Sequence, residues 1–296
     1  MRRFTALACW GTKPRQDKDA AIMISYAVSD WDDAYANGPN VPDGGRWPDA
    51  WAGPAKRYRE TLGDRARLDI AYGEGARNTL DLFLPEGEAQ GLVVFIHGGY
   101  WKALDKSFWS HLAAGANARG HAVAIPSYTL CPETRIAGIT QEIGAAVTKA
   151  AGEIDGPIRL TGHSAGGHLT ARMVAETSPL GEAVRARIVH ALPIAGVHDL
   201  RPIMRTEMNE VLGVDEAEAL AESPALLRPI EGMRVTAWVG GAERAEFVRL
   251  SALLANVWTG LGARTAFYAE PDKHHFTVVD SLAETDGALT RALFAD

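Results

Sequence analysis

One pentapeptide limits the possible fold more than any other feature of the sequence. The segment GHSAG at 162–166 matches the pattern G-x-S-x-G, and a short strand-like segment at 157–161 leads into it. A helix-like stretch at 165–176 follows directly. This order of strand, tight turn and helix places a serine on a sharp bend at the end of a sheet. The segment therefore predicts a nucleophile elbow with Ser164 as the attacking group, and an ordinary helix N-cap serine is the alternative.

Strand-like and helix-like segments alternate along most of the chain, which indicates βαβ units and a parallel sheet. We expect strands at 66–72, 78–84, 91–96, 121–125, 157–161, 187–194, 234–239 and 264–269. We expect helices at 107–119, 136–152, 165–176 and 245–259, and largely helical structure at 276–294. The first two strands, separated by a glycine-containing turn, predict a hairpin. The fold class predicted is α/β, with a mostly parallel central sheet and helices on both faces.

The chain of 296 residues is expected to form one domain, because no internal repeat or linker is present. Residues 1–22 are expected to be a disordered tail, or to result from a misassigned start upstream of Met23. The domain would span 23–296, with an N-terminal arm at 25–62 that is rich in Trp, Pro, Gly and Asp. Additional helical sequence at 200–229 interrupts the alternation and predicts a small cap over one end of the sheet.

A glycine pair follows the strand expected at 91–96, in the segment HGGYW at 97–101. A serine hydrolase needs two backbone N–H donors aimed at the oxyanion of its tetrahedral intermediate. The residue after the nucleophile, Ala165, would supply one donor. Gly98 and Gly99 would supply the other, because they carry no side chain that blocks the approach.

The base should come after the last strand, since the chain order in this arrangement is serine, acid, histidine. His274 and His275 both lie there, in the segment DKHHF at 272–276. No histidine in the sequence lies in a metal-ligand spacing such as H-E-x-x-H. We therefore expect neither a metal nor another cofactor.

The acid should follow the strand at 234–239, in the loop GGAERAEF. Glu243 is the first choice and Glu246 the alternative acid. Asp199, after the preceding strand, is a third option. The acid must hold the imidazole in one tautomer and stabilise the imidazolium ion, and a glutamate can do so with its longer side chain.

Charge and cysteine content restrict the partners. The formal charge is −7 and no long Lys/Arg run is present, which argues against a nucleic-acid surface. No apolar stretch reaches the roughly 18 residues that span a bilayer. Two cysteines, Cys9 and Cys131, are compatible with a reduced compartment. We expect a cytoplasmic protein that binds a small-molecule substrate, without nucleic-acid or membrane partners, and the sequence leaves a homodimer open.

Taken together, these segments resemble the kynurenine formamidase (arylformamidase) branch of the α/β-hydrolase superfamily, from about residue 25 to the C-terminus. The matching segments are HGGYW at 97–101, GHSAGGHL at 162–169, GVHDLRPI at 196–203, ERAEF at 243–247 and HHF at 274–276. The resemblance favours His275 as the base, because the matching family position precedes an aromatic residue. Members of the branch usually carry aspartate at the position of Glu243, so this chain departs from the pattern at the acid.

The resemblance implies hydrolysis of an N-formyl or ester bond on an aromatic substrate, with Tyr100 and Trp101 flanking the ring. The first hypothesis is kynurenine formamidase activity, which converts N-formylkynurenine to kynurenine and formate. The second is a general carboxylesterase for small acyl or aryl esters. The third is a catalytically inactive hydrolase-fold binding protein, which predicts that one member of the triad is missing.

Overall fold

Residues 27–295, which the computed structural model describes, contain an eight-stranded sheet. The predicted tail at 1–22 lies outside the described residues, as do the first residues of the arm. The strands are β1 (Ala66–Ala71), β2 (Thr79–Phe83), β3 (Leu92–Ile96), β4 (Ala122–Pro126), β5 (Ile158–His163), β6 (Ile188–Ile194), β7 (Arg234–Gly240) and β8 (Arg264–Glu270). Their order across the sheet is β1-β2-β4-β3-β5-β6-β7-β8.

The pairing directions confirm the predicted α/β fold class. Strands β1 and β2 form the expected antiparallel hairpin, and β2 is antiparallel to β4. All remaining neighbours, from β4 through β3 to β8, are parallel. Strands β3 and β4 are buried along their whole length, as continuous apolar runs in the middle of a parallel sheet should be. This arrangement brings the carboxyl ends of β3, β5, β7 and β8 to one edge of the sheet.

Helices surround the sheet and connect its strands. They are α1 (Trp31–Tyr35), α2 (Trp47–Leu62), α3 (Ala114–Ala118), α4 (Ile136–Glu153), α5 (Ala165–Met173), α6 (Glu182–Arg185), α7 (Asn209–Leu212), α8 (Glu216–Glu222), α9 (Ala245–Thr259) and α10 (Ala288–Phe294). Among residues 27–295, no helix is both long and apolar enough to cross a membrane.

Two of the predicted helices are wrong in extent. The segment predicted at 107–119 consists of two 3-10 turns followed by the short helix α3. Trp109 separates the two turns, and its buried ring lies 4.3 Å from that of Trp51, so tertiary packing overrides the local helical pattern. The segment predicted at 276–294 contains a 3-10 turn and then α10, because Gly287 precedes α10 with extended backbone angles.

The predicted arm contains α1 and α2, and both contact the body of the domain. Tyr35 on α1 packs edge-on against Phe247 of α9, with ring centroids 5.9 Å apart. Trp51 on α2 packs against Trp109. The arm therefore lies close to the carboxyl end of the sheet, where the motifs meet.

The segment predicted as a cap contains α7 and α8 and is fixed to the body by a buried ion pair. Glu222 at the end of α8 accepts from Arg172 of α5 at 2.9 Å. Its carboxylate also accepts from the hydroxyl of Thr140 on α4 at 2.6 Å. The backbone oxygen of Glu222 bonds to His168 Nε2 at 2.6 Å. Breaking such a buried pair is costly, so these bonds fix one end of the cap beside the first turns of α5.

Candidate active site

Ser164 occupies the strained bend that the pentapeptide predicts. It lies between β5 and α5 with φ 58° and ψ −116°, angles that a residue with a side chain rarely adopts. A Cβ atom on Gly166 would lie 1.9 Å from the backbone oxygen of Ile96, and one on Gly162 would lie 2.5 Å from that of Gly166. Only glycine fits at these two positions, so the turn can be this tight.

The oxyanion loop after β3 lies directly against the serine. A Cβ atom on Gly98 would lie 3.1 Å from Ser164 Cβ and 2.9 Å from the backbone oxygen of His163. Gly99 has φ 118°, and a Cβ there would lie 2.2 Å from the oxygen of Ala103. The loop therefore needs glycine at both positions. At Gly98 a side chain would have no space, and at Gly99 the positive φ angle is a further reason for glycine.

Ala165 is the first residue of α5, so its backbone N–H belongs to the group that has no acceptor within the helix. The positive end of the helix dipole also lies at this point. Gly98 brings the glycine loop into contact with the same residue, Ser164. The segments that carry the predicted oxyanion donors thus both adjoin the serine.

His275 and Glu243 form a buried hydrogen-bonded pair. His275 Nδ1 lies 2.6 Å from Glu243 Oε2, and the side chains are 4% and 0% exposed. The other carboxylate oxygen, Oε1, accepts from the backbone N–H of Gly240 at 2.9 Å. If Nδ1 carries the proton donated to Glu243, Nε2 is left free to accept one. This is the tautomer that a general base needs.

The two other candidate acids are held by arginines. Glu246 accepts from Arg249 Nε at 2.8 Å and from the hydroxyl of Tyr35 at 3.1 Å. Asp199 accepts from Arg201 at 2.9 and 2.8 Å through two guanidinium nitrogens. Among the three carboxylates proposed from the sequence, the structure therefore places Glu243 against His275.

His274, the other candidate base, faces the arm. Its ring lies edge-on to Trp47 with centroids 5.3 Å apart, and its Nδ1 accepts from the backbone N–H of Phe276 at 3.2 Å. Adjacent residues in this loop thus point to different neighbours. His275 is the one directed towards the acid.

The surroundings of His275 are aromatic and almost closed to solvent. Its ring centroid lies 4.5 Å from that of His163 and 4.7 Å from that of Phe247, with Phe276 at 5.7 Å. Ser164 and His275 are only 2% and 3% exposed. The two phenylalanines were not among the predicted site residues. Phe247 is the last residue of the segment ERAEF, and Phe276 is the last residue of the segment HHF. Because both segments carry the family resemblance, that resemblance is the signal that could have identified the two residues.

The predicted aromatic residues Tyr100 and Trp101 follow the glycine pair. The hydroxyl of Tyr100 donates to the backbone oxygen of Tyr35 and accepts from Asn37 Nδ2 at 3.1 Å, which ties it to the arm. Trp101 is fully buried and lies edge-on to His168 at 5.2 Å. The structure therefore places Tyr100 beneath the arm and Trp101 beside α5, and contact with substrate stays a prediction for both.

Burial shifts the pKa values of the His275–Glu243 pair in opposite directions. It lowers the pKa of His275 to about 3 and raises the pKa of Glu243 to about 7. The cause is the same for both, because a site with little water disfavours whichever form is charged. At neutral pH the imidazole is therefore neutral.

We expect kcat/KM to fall as the pH drops through about 7. The form required for catalysis has a neutral His275 and an ionised Glu243, and burial raises the pKa of Glu243 to about 7. Proton uptake below that value removes the acceptor that fixes the imidazole, so activity is present above the pKa and lost below it. The measurement is kcat/KM between roughly pH 5 and pH 9, with circular dichroism to confirm folding. A flat profile down to about pH 5 would contradict the expectation.

No cluster of three or more His, Cys, Asp or Glu side chains that could hold a metal ion occurs in the part of the chain that the structure describes. The groups described above are those of acyl transfer. They comprise a strained serine, a neutral imidazole that is fixed by a carboxylate and packs against the neighbouring His163, and the backbone amides of the glycine loop and of the first residue of α5.

Comparison with known proteins places the chain among the hydrolases. Residues 80–205 match the family described as BD-FAE. A crystal structure of a candidate thioesterase from Silicibacter sp. TM1040 is 51% identical, with a TM-score of 0.85, over 89% of this chain and 98% of that one. The kynurenine formamidases of Danio rerio and Drosophila melanogaster are each 29% identical. They align with 76% of this chain, which covers 80% and 79% of their respective lengths.

The chain is an α/β-hydrolase. It is accordingly an enzyme of the hydrolase class, and over most of its length it is similar to kynurenine formamidases. An esterase from Pyrobaculum calidifontis has the same fold, with 17% identity and a TM-score of 0.66 over 84% of this chain and 90% of that one.

In this α/β-hydrolase, glutamate at position 243 fits because its side chain folds back over the loop. A Cβ atom on Gly240 would lie 3.1 Å from Glu243 Cγ and 2.2 Å from the backbone oxygen of Lys273. Glycine at 240 therefore leaves room for the additional methylene of glutamate. The carboxylate still reaches His275 at 2.6 Å.

Proposed function

We propose that this chain hydrolyses N-formylkynurenine to kynurenine and formate, by acyl transfer through Ser164. The observation that carries the proposal is the buried Glu243–His275 hydrogen bond, whose imidazole lies 4.5 Å from the ring of His163, the residue before the strained Ser164. The glycine loop packs against the same serine through Gly98. Similarity to kynurenine formamidases over 76% of the chain supports the same substrate. We further propose that the enzyme acts in the cytoplasm on this small molecule.

In the first half of the reaction, His275 Nε2 takes the proton of the Ser164 hydroxyl while the oxygen attacks the formyl carbon. The oxyanion of the tetrahedral intermediate accepts from the backbone N–H groups of the glycine pair and Ala165. The imidazolium ion, stabilised by Glu243, then returns its proton to the aryl nitrogen as the C–N bond breaks. Kynurenine leaves and a formyl ester remains on Ser164.

In the second half, water attacks the formyl ester. His275 removes a proton from the water, and a second tetrahedral intermediate forms in the same oxyanion site. The C–O bond to Ser164 then breaks, and the serine oxygen recovers its proton from His275. Formate is released and the enzyme returns to its starting state.

The closed site favours the smallest acyl group. Ser164 is 2% exposed and His275 is 3% exposed. Aromatic rings pack around His275 on two sides. A formyl group has no carbon beyond its carbonyl, so it demands the least additional space beside the serine. A larger acyl group would have to displace packed side chains.

The test compares N-formylkynurenine with N-acetylkynurenine, which differ by one methyl group on the acyl carbon. One such group in a shaped pocket changes kcat/KM by about 10- to 200-fold. We expect a preference for the formyl compound of at least about 10-fold. Equal turnover of the two amides would contradict the formamidase proposal.

A general carboxylesterase for small acyl or aryl esters is the second candidate. It is favoured by similarity to isoprenylcysteine methylesterases from Arabidopsis thaliana, which are 30% identical over 118 and 122 residues. The same serine, base and oxyanion donors cleave esters. Phenyl acetate and phenyl butyrate, measured beside N-formylkynurenine, decide between the two activities. A higher kcat/KM on the esters would establish the second candidate.

A further inference from the structure

The loop that carries the glycine pair has a strained backbone beyond the glycines themselves. Three of the five residues that follow Gly99 also have positive φ angles: Tyr100 at 49°, Trp101 at 56° and Leu104 at 67°. Residues with bulky side chains rarely adopt such angles. A backbone of this kind persists only where the surrounding structure holds it in place. The contacts that hold the loop are therefore part of what keeps the oxyanion site in its working shape.

Arg77, in the turn between β1 and β2, bonds to two loops at the carboxyl end of the sheet. Its Nη2 donates to the backbone oxygen of Leu104 at 2.5 Å, and its Nε donates to that of Tyr128 at 2.7 Å. Leu104 belongs to the loop after β3, and Tyr128 belongs to the loop after β4. A guanidinium group is planar and rigid, so it can fix two acceptors relative to each other. One partly buried side chain thus joins the glycine loop to its neighbour.

Each of these two bonds ends beside one side of the glycine pair. On the first side, a Cβ atom on Gly99 would lie 3.5 Å from Leu104 Cβ, so the two residues are in direct contact. On the second side, the ring of Tyr128 stacks on that of His97 with centroids 4.3 Å apart. The hydroxyl of Tyr128 also donates to the backbone oxygen of His97 at 3.1 Å. His97 directly precedes Gly98, so the glycine pair lies between two segments that the same guanidinium holds.

We propose that Arg77 is a positioning residue for the oxyanion site, whose two bonds hold the backbone N–H groups of Gly98 and Gly99 in place. The proposal rests on the acyl transfer through Ser164 proposed above. Oxyanion donors act well because they are already in position when the negative charge develops. A displacement of about 1 Å can cost about 100-fold in rate. Loss of the two bonds should therefore slow the chemical step more than it weakens substrate binding.

The first test replaces Arg77 by methionine, which removes both bonds and leaves an unbranched side chain. We expect kcat on N-formylkynurenine to fall about 10- to 100-fold, with KM within about 3-fold of wild type. The pH at which kcat/KM falls should stay near 7, because the His275–Glu243 pair is not altered. Arg77→Lys keeps the charge but lacks the planar fork, so its kcat should lie between those of Arg77→Met and the wild type.

Arg187→Met is the matched control, because Arg187 is also partly buried and also donates to backbone oxygens. Its Nε bonds to the oxygen of Gly156 at 2.8 Å, and its Nη1 bonds to that of Ala151 at 2.7 Å. Arg187 directly precedes β6, at the opposite end of the parallel strands from Ser164. We expect this substitution to lower the free energy of unfolding and to leave kcat close to the wild-type value.

The second test separates folding from reactivity with a fluorophosphonate probe. The final labelled fraction counts folded active sites, and the labelling rate reports how well the site stabilises negative charge on the reacting group. In Arg77→Met, we expect the wild-type labelled fraction with a rate about 10- to 100-fold lower. The same comparison with Arg77→Lys, where a smaller fall is expected, serves if the methionine variant does not fold.

Two results would overturn the positioning role while leaving the acyl transfer intact. The first is a wild-type labelling rate and a wild-type kcat in the Arg77 variants. The second is a loss of kcat in Arg187→Met equal to that in Arg77→Met. A wild-type enzyme that the probe does not label at Ser164 would instead overturn the acyl transfer, and the positioning role with it.

Discussion

Replacing Ser164 by alanine is expected to lower kcat by about 10⁴- to 10⁶-fold. The substitution removes the only atom that bonds covalently to the acyl group in the proposed reaction. What remains is the contribution of substrate binding and the oxyanion donors, which still exceeds the reaction in water. The measurement is kcat on N-formylkynurenine under saturating substrate.

Loss of folding should not explain that loss of activity. Alanine has a Cβ as serine does, so the strained angles at position 164 are equally unfavourable for both. The free energy of unfolding should therefore change little. Ser251→Ala is the matched control, because Ser251 is also a buried serine, on α9 and 1% exposed. Equal effects of the two substitutions on kcat would contradict the role of Ser164.

Replacing Glu243 by glutamine is expected to lower kcat by about 10⁴-fold. Both carboxylate oxygens act as acceptors, one from Gly240 N–H and one from His275 Nδ1. A glutamine amide has one acceptor oxygen and an NH₂ group that only donates. It can satisfy one of these donors but not both. The imidazole then either loses its partner or adopts the tautomer with the proton on Nε2, which cannot accept from Ser164.

Glu246→Gln is the matched control, since it makes the same chemical change three residues later, in the first turn of α9. Its carboxylate binds Arg249 and Tyr35, so we expect reduced stability with kcat within about 10-fold of wild type. The pH profile provides a second readout. The fall in kcat/KM near pH 7 should disappear in Glu243→Gln and persist in Glu246→Gln. Near-normal turnover by Glu243→Gln together with collapse in Glu246→Gln would assign the acid to Glu246.

The elbow could be predicted from sequence because the residues that form it are contiguous in the chain. A β-strand, two glycines that avoid close backbone contacts, and a following helix are sufficient to place Ser164 on a strained bend. The parallel sheet could be predicted for a similar reason, since buried apolar runs alternate with helices. By contrast, the helix predicted at 107–119 fails because Trp109 packs against Trp51, a contact between distant parts of the chain.

The choice between neighbouring candidates required the structure. Glu243 and Glu246 are three residues apart, and either could follow β7 as the acid. Glu246 falls in the first turn of α9 and pairs with Arg249 one turn later, while Glu243 lies before the helix and turns inward. His274 and His275 could be distinguished from sequence only by family resemblance, because the residues around them do not determine which imidazole ring faces the acid.

The role of Ser164 as the nucleophile is tested most directly by identifying the residue that reacts with a fluorophosphonate probe, by mass spectrometry of peptides from the full-length enzyme. We expect a single modified residue, Ser164, with labelling abolished in Ser164→Ala and greatly slowed in His275→Ala. Modification at another residue, or a labelling rate in His275→Ala equal to that of the wild type, would contradict it.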